Sequence, residues 1–484
     1  MPAEPVTLAA LAPVCHGVVS GDGSLSVTDV THDSRSAGRG VLFVAVRGQS
    51  TDGHRFINTA VAAGSPAVCV EVKDEGTQVP ALVVADTRAA LAPLAAVVHG
   101  RPSDSMRLVG VTGTNGKTTV THIIESICRS AGIPEAVAGT VGARIRGRAV
   151  EMVRTTPEAT DFQRMLRTML DAGVDIAAVE VSSHALSLGR VAETRFRVGA
   201  FTNLTQDHLD FHGDMASYEA AKASLFRQCE RAVVWIDDAA GRRLAGGAGI
   251  PVITVGTGVG ADLRVGDVEL SLGGSRFTLT SSDGSRTLEM PLAGRFNVAN
   301  AAVAAGCAGA LGIDDDAIRA GVASVERVPG RFELVAMSGN FTVVVDYAHT
   351  PDGIVAVIDA AREILSGSSR VIAVVGAGGN RDRAKRPLMG NAACRADVAV
   401  LTSDNPRDER PEDILAEVAS GANGSGEVIV EIDRRVAIRR ALHLARSGDV
   451  VLLLGKGHEQ TQDFGDLVIP FDDRTVALEE VARL

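Results

Sequence analysis

The sequence predicts an α/β protein of three domains, the central one of P-loop type on a mostly parallel sheet and the last a Rossmann-like α/β domain. Three observations predict it. At 484 residues the chain is too long for one hydrophobic core, and a prior of roughly 150 residues per domain suggests about three. Short apolar runs recur and alternate with helical stretches, as parallel sheets require. One of those runs passes through a glycine-rich turn straight into a helical stretch, at 108–130.

Composition bounds the class. With 45% hydrophobic and 22% charged residues, the chain can bury a core without disulfides or structural metals. A net charge of -11 and 3% aromatics leave neither the charge to hold a phosphate backbone nor the rings to stack on bases, so nucleic acid is excluded as a partner. Cys15, Cys69, Cys128, Cys229, Cys307 and Cys394 are scattered without a CxxC pair and read as reduced thiols. No Lys or Arg precedes Arg35, and no apolar run reaches about 18 residues. The expectation is a cytoplasmic protein without a membrane span, and a monomer.

Taken in order, residues 1–104 alternate apolar runs (Val41 to Val46, Ala67 to Val70) with glycine-rich turns and alanine-rich helical stretches, an α/β domain. Arg101 to Ser105 reads as a linker. The second domain, 105–329, opens with a strand from Leu108 and a helix from Lys117 to about Ser130, followed by buried-type strands at Ile176 to Val181 and Val198 to Phe201. A helix is expected over Tyr218 to Phe226, and an antiparallel hairpin over Arg276 to Thr280 and Arg286 to Met290, turning at Asp283-Gly284. A break near Val328-Pro329-Gly330 begins the third domain, 330–484. Its strands Val343 to Val345, Val371 to Val375 and Val451 to Leu454 each end in a polar loop, where open α/β sheets bind ligands.

Gly113-Thr114-Asn115-Gly116-Lys117-Thr118-Thr119 lies between strand and helix, the context a phosphate-binding loop needs. Glycines admit phosphate to backbone N–H groups, the helix start adds positive partial charge, Lys117 reaches terminal phosphates and a Thr hydroxyl ligates magnesium. Five residues separate Gly110 from Gly116, so the strict G-x-x-x-x-G-K-[ST] pattern fails and the loop is a variant. Glu180 ends a buried strand, and His208 and His212 follow another strand end, so a carboxylate and an imidazole can converge on a metal beside the phosphates. Taken singly, His208 and His212 read more often as hydrogen-bonded helix-start residues than as ligands, and no HExxH supports a zinc hydrolase. Lys222, among small and apolar residues, reads from composition as a lysine snorkelling off a half-buried helix. In the last domain, Asp346 to Pro351, Gly376 to Arg383, Asp404 to Arg407 and Gly455 to Glu459 all follow strands. Their Arg and Glu residues suit a zwitterionic amino acid.

Together these residues resemble the Mur ligase family across nearly the whole chain, and within it the members that add diaminopimelate. The resemblance implies that the first domain holds the UDP end of a nucleotide precursor, the second ATP and the third the incoming amino acid. It implies uridine-side contacts at Asp33-Ser34-Arg35 and Gln49-Ser50-Thr51, and muramoyl-peptide contacts at Thr155, Thr156, Ser182 and Arg190. ATP falls to Gly113, Thr114, Asn115, Gly116, Lys117, Thr118 and Thr119, with Asn297, Asn300, Arg331 and Asp346. Mg2+ falls to Thr118, Glu180 and His208, with Lys222 carried as a carbamate, an anion able to hold a second Mg2+. Lys117, Lys222, His208 and Glu180 form the catalytic set, and Arg381, Asp404, Asn405, Pro406, Arg407, Gly455 and Glu459 the diaminopimelate site.

The implied reaction joins meso-diaminopimelate to the D-Glu γ-carboxylate of UDP-MurNAc-L-Ala-D-Glu through an acyl phosphate formed from ATP. Family members that add lysine differ at the position of Arg407. The rivals are a lysine-adding ligase, a folylpolyglutamate-type ligase, which lacks Asp404-Asn405-Pro406-Arg407, and a P-loop ATPase module that works on a partner.

Overall fold

The computed structural model describes residues 4–48, 51–73, 76–338, 341–365, 367–424 and 426–484. Three large sheets organise the described residues.

In the first, Ala81–Val83, Ala67–Val70, Val41–Val44 and Asp29–Thr31 run parallel and Val18–Ser20 pairs antiparallel at one edge. The helix Thr87–Val98 covers it with buried Leu91, Leu94 and Val98, and Asp86 caps its start by accepting from the Arg88 and Ala89 N–H groups. The stretch expected as a linker is a packed connection. Pro102–Asp104 forms a 3-10 turn with Pro102 and Ser103 buried, and Ser103 Oγ accepts from Arg195 N at 3.2 Å.

The central sheet has eleven strands. Arg107–Thr112 sits inside it, with Ile176–Glu180 and Glu135–Gly139 on one side and Phe196–Phe201 and Cys229–Trp235 on the other, all parallel. The chain thus builds first to one side of Arg107–Thr112 and then to the other, and such a switch point opens a crevice at the carboxyl ends. Helices Lys117–Ser130 and Arg295–Ala310 bury Ile123, Ile124, Ile127, Val298 and Val303 against one face. Each large aliphatic side chain so buried contributes about 1.5–3 kcal/mol. The helix Ala159–Asp171 places Phe162, Leu166 and Met169 on the other face. The expected hairpin forms as Gly274–Ser281 and Gly284–Met290, and with Leu263–Ser271 it extends this sheet. The helix expected over Tyr218 to Phe226 runs instead over Met215–Ala223 and tightens into a 3-10 turn at Ser224–Gln228. Asp214 sets its start, and the Ser224 hydroxyl donates to Ala221 O at 2.7 Å, a local bond that competes with the helix.

In the third sheet Phe341–Asp346, Val450–Leu454, Val371–Ala377 and Val398–Ser403 are successive parallel neighbours. The four loops that follow them therefore leave from one edge, which faces the phosphate loop.

Candidate active site

The phosphate loop needs its glycines because other atoms crowd it. Gly113 has φ +145° and Gly116 φ +89°, and a Cβ at either would collide with Thr202 Oγ1 or Asn300 Oδ1 respectively. The end of the neighbouring strand holds the loop: Thr114 N donates to Asn203 O, Asn115 N to Asn203 Oδ1 and Thr202 Oγ1 to Asn115 O, at 2.6–2.9 Å. Thr119 lines the cavity that opens beside the loop. Lys117 Nζ donates to Gly113 O at 3.0 Å and Thr114 O at 2.8 Å.

Lys222 is 1% exposed and is not the snorkelling residue that composition suggests. Its Nζ donates to Gly113 O at 2.7 Å and lies 4.4 Å from the centre of the Tyr218 ring, whose hydroxyl pairs with Thr114 Oγ1. Burial pushes the Lys222 ammonium well below the usual lysine range, and the charge of Lys117 adds to this against Asp207. Lys117 is lowered as well, by burial first and with Glu180 opposing.

Glu180, 2% exposed, accepts from the Thr140 N–H at 2.8 Å and hydroxyl at 3.0 Å. Thr155 pairs with Thr140, and Thr156 Oγ1 donates to Glu180 O and contacts Ser182 Oγ. Arg190 donates to Thr156 O and pairs with Glu158 at 2.9 Å, and Arg88 of the first sheet's helix reaches the same Glu158 at 2.7 Å. Thr155, Thr156, Ser182 and Arg190 thus gather around Glu180. Ser34 opens the 3-10 turn Ser34–Ser36 and Thr51 lies by the first sheet, and among the described residues neither is seen bonded to that group; Asp33 grips the Arg35 guanidinium, and Thr51 O accepts from Gly48 N. Gln49 and Ser50 lie outside the described residues.

His208 has φ +56° at the start of the short helix Leu209–His212. Burial holds its imidazole down at about 3, with Asp207 opposing, and His212 falls to about 4 for the same leading reason. Both are neutral at pH 7. Among the described residues no three His, Cys, Asp or Glu side chains cluster as a metal site. Thr118 and Glu180 offer oxygens and His208 a neutral nitrogen, a sparse set that fits Mg2+, which keeps waters and phosphate oxygens as its other ligands.

Between the central and last bodies lies a cavity of about 450 Å³, lined by Asn115, Trp235, Phe296, Asn300, Arg331 and Asp346 among others. Arg331 donates to Thr118 Oγ1 at 2.9 Å, and its guanidinium lies 4.7 Å from the centre of the Tyr347 ring. Asp346 accepts from Phe332 N and Ala348 N, and burial raises its carboxyl against the pull of Arg331. Asn297, 1% exposed, is not a lining residue. It donates to Ala293 O and accepts from Asn300, so it braces Asn300 from behind.

A second cavity of about 230 Å³ is lined by Arg381, Lys385, Asp404, Arg407, Gly455 and Glu459 together with Asp207. Arg407, at φ +53°, donates to Gly379 O at 2.7 Å, and Gly379 is packed so closely on Pro406 O that a Cβ there would clash. Glu459 is already engaged, accepting from Asn405 Nδ2 at 2.8 Å and Lys456 Nζ at 3.0 Å. Lys385 pairs with Asp207 at 3.2 Å across the gap between the bodies. Burial alone would raise Asp207, but the His349 hydrogen bond and the charges of His349, Lys385 and His208 hold it well below the usual carboxylate range. Sequence reasoning assigned no role to Asp207, Lys385 or Lys456. Lys456 stood inside the Gly455 to Glu459 motif already singled out, whereas the Lys385–Asp207 pair joins residues far apart in sequence and leaves no local pattern.

Fold and site define the class first: a phosphate-loop α/β protein in which a nucleotide-sized cavity and a cleft lined by charges of both signs share one gap. The chain belongs to the Mur ligase family. The Mur ligase middle domain matches residues 111–308, the "Mur ligase, glutamate ligase domain" 330–457 and the "Mur ligase family, catalytic domain" 26–99. A UDP-N-acetylmuramoyl-L-alanyl-D-glutamate--2,6-diaminopimelate ligase of Syntrophomonas wolfei is 45% identical over 469 residues, covering 95% of this chain and 96% of its own. The ligase of the same name from Geobacillus thermodenitrificans is 45% identical over 466 residues, covering 94% and 95%. A solved structure of a ligase with this name superposes with a TM-score of 0.70 at 32% identity and covers 99% of both chains.

Proposed function

We propose that this chain is an ATP-dependent, ADP-forming ligase that adds meso-2,6-diaminopimelate to the D-Glu γ-carboxylate of UDP-MurNAc-L-Ala-D-Glu, in peptidoglycan precursor synthesis. The observation that carries this is the shared gap. Arg331, just before the third sheet, bonds Thr118, and Lys385, at the start of Lys385–Ala393, pairs with Asp207, tying that part of the chain to the phosphate side, so an activated carboxylate made at one can be attacked by an amine held at the other.

The γ-carboxylate attacks the γ-phosphorus of ATP and ADP leaves, with Lys117 offsetting the charge. The free amine of diaminopimelate then attacks the acyl carbon, and the tetrahedral intermediate collapses to the amide and inorganic phosphate. Bound Mg2+, held by Thr118, Glu180 and His208, would supply further neutralisation of phosphate charge. Lys222, a desolvated amine easily held neutral, fits addition of CO2 with loss of one proton to give a carbamate. Ser34, Gln49, Ser50 and Thr51 would hold the uridine end, and Thr155, Thr156, Ser182 and Arg190 the muramoyl peptide. Residues 1–104, 105–329 and 330–484 would divide the work between UDP end, ATP and amino acid. Closure over the gap would protect the acyl phosphate from water.

The test is phosphate release measured across a panel of amino acids with and without the UDP-linked dipeptide. Release should need both the dipeptide and diaminopimelate. Release without any amino acid would favour an ATPase module, and equal release with L-lysine a lysine-adding ligase.

A further inference from the structure

Among the described residues, Arg434 and Asp473 form an ion pair buried on both sides, next to the strand ends that lead into the second cavity. Arg434 and Asp473 have side chains 0% exposed, and the guanidinium meets the carboxylate through Nε at 2.8 Å and Nη2 at 2.5 Å. The remaining N–H groups of the fork reach two backbone carbonyls, Leu454 O from Nη2 at 3.0 Å and Ser403 O from Nη1 at 3.3 Å. Those residues end Val450–Leu454 and Val398–Ser403, the two strands that flank Val371–Ala377. The middle strand packs against the same fork without a hydrogen bond to it, since a Cβ at Gly376 would come within 2.9 Å of Arg434 Nη1. Each of the three strands runs directly into a loop of the cleft: Gly378 to Arg381, Asp404 to Arg407 and Gly455 to Glu459.

We propose that Arg434, oriented by Asp473, is a positioning residue of the amino-acid cleft, fixing the relative height of the three strand ends whose loops grip the incoming amino acid. It rests on the reading of that cleft as the amino-acid site. A planar fork suits the task because one group bonds a carboxylate and two carbonyls in fixed directions, which an ammonium cannot reproduce. Stability alone explains the pair poorly, since buried ion pairs are often no better than apolar residues of like volume. The charges of Asp404 and Glu459 also act on Arg434, so the cleft's carboxylates sit in the field of a buried cation.

Two variants test this. Arg434→Met combined with Asp473→Leu removes both charges and leaves none orphaned, and Arg434→Lys keeps the ion pair but loses the bridging fork. Both are measured for melting temperature and for KM toward diaminopimelate, ATP and the UDP-linked dipeptide, beside Arg407→Ala as a control within the cleft. The expected result is a rise of about tenfold or more in KM for diaminopimelate in both variants, with the other two KM values near wild type. Folded variants with wild-type KM for diaminopimelate, or with all three KM values raised equally, would overturn the proposal. Should Arg407→Ala raise that KM while the Arg434 variants do not, the positioning role alone fails. Should none of the three move it, the reading of the cleft fails too.

Discussion

Lys117 and Lys222 both donate to one acceptor, the carbonyl of Gly113, at 3.0 and 2.7 Å. Two ammonium ions crowded on one carbonyl repel, and the more buried one sheds its proton more easily. That division of labour makes Lys117 the charge for phosphate and Lys222 the amine free to react with CO2. Lys117→Ala should retain its fold and lose on the order of a hundredfold or more in ligation rate, the usual cost of one preorganised charge contact. A purified variant with near-full activity would remove the phosphate-loop assignment. Lys222→Ala should be nearly inactive and partly rescued by added formate or acetate, because the missing group is an anion. Full activity in Lys222→Arg would show that the site wants positive charge and end the carbamate idea. At this scale the sequence spoke unevenly: spacing picked out Lys117, whereas Lys222 carries no local signal and only the family resemblance singled it out.

The strands that lead into the site were legible because Leu108 to Val111, Val343 to Val345, Val371 to Val375 and Val451 to Leu454 are apolar runs soon followed by glycine or aspartate, and the edge shared by the four loops follows from parallel order. Less legible was how loops and helices brace one another, as in the Arg407 turn. There Arg407 points its guanidinium back over Gly379 O from a left-handed backbone, and Asn405, Lys456 and Glu459 form a linked polar set beside it. A carboxylate at the far end of diaminopimelate would find the Arg407 fork, while lysine would leave it with Asp463 alone, at 3.8 Å, a loss of about 1 kcal/mol. Arg407→Ala should therefore lose diaminopimelate turnover far more than ATP binding, and wild type should discriminate against L-lysine; comparable wild-type rates with both amino acids would sink the assignment. The helices Lys385–Ala393 and Pro411–Ser420 beneath this turn pack through glycines, a Cβ at Gly390 striking Val418 O and one at Gly421 striking Pro387 O. Gly390→Ala should force the helices apart and cost about 1–3 kcal/mol, read as a lower urea midpoint. An unchanged midpoint would mean that the crossing tolerates the displacement.

Across the whole molecule the two seams differ in chemistry. The central and last bodies meet through site residues, Lys385 with Asp207 and Arg331 with Thr118, so contacts there can change as substrates come and go. The first and central bodies meet at Arg88–Glu158, beside the group around Glu180, and also where Arg164 donates to both carboxylate oxygens of Asp29, at 3.0 and 3.2 Å, and to Val30 O at 2.9 Å, and His99 Nε2 lies 3.2 Å from Asp29. Neither seam was visible in sequence, because Asp29 and Arg164 lie far apart along the chain and each reads alone as a surface charge. Burial works to raise the Asp29 carboxyl, but His99 and Arg164 outweigh it and hold it at about 2. An unfolded aspartate titrates near 3.9, so the folded state binds the proton less tightly than the unfolded one. The resulting stabilisation is complete above about pH 4 to 5 and is lost as pH falls toward 2. Asp29→Asn should accordingly lower the urea midpoint most at pH 6, by an equivalent of about 1 kcal/mol, since the pair is partly exposed and solvent screens it. The gap from wild type should narrow steadily below pH 4. Arg164→Ala should show the same pH dependence, and the double variant should lose less than the sum of the singles, as contacting partners do. A midpoint difference that stays constant from pH 6 to pH 3, or additive losses, would mean that Arg164 and Asp29 do not hold the first body to the second through charge.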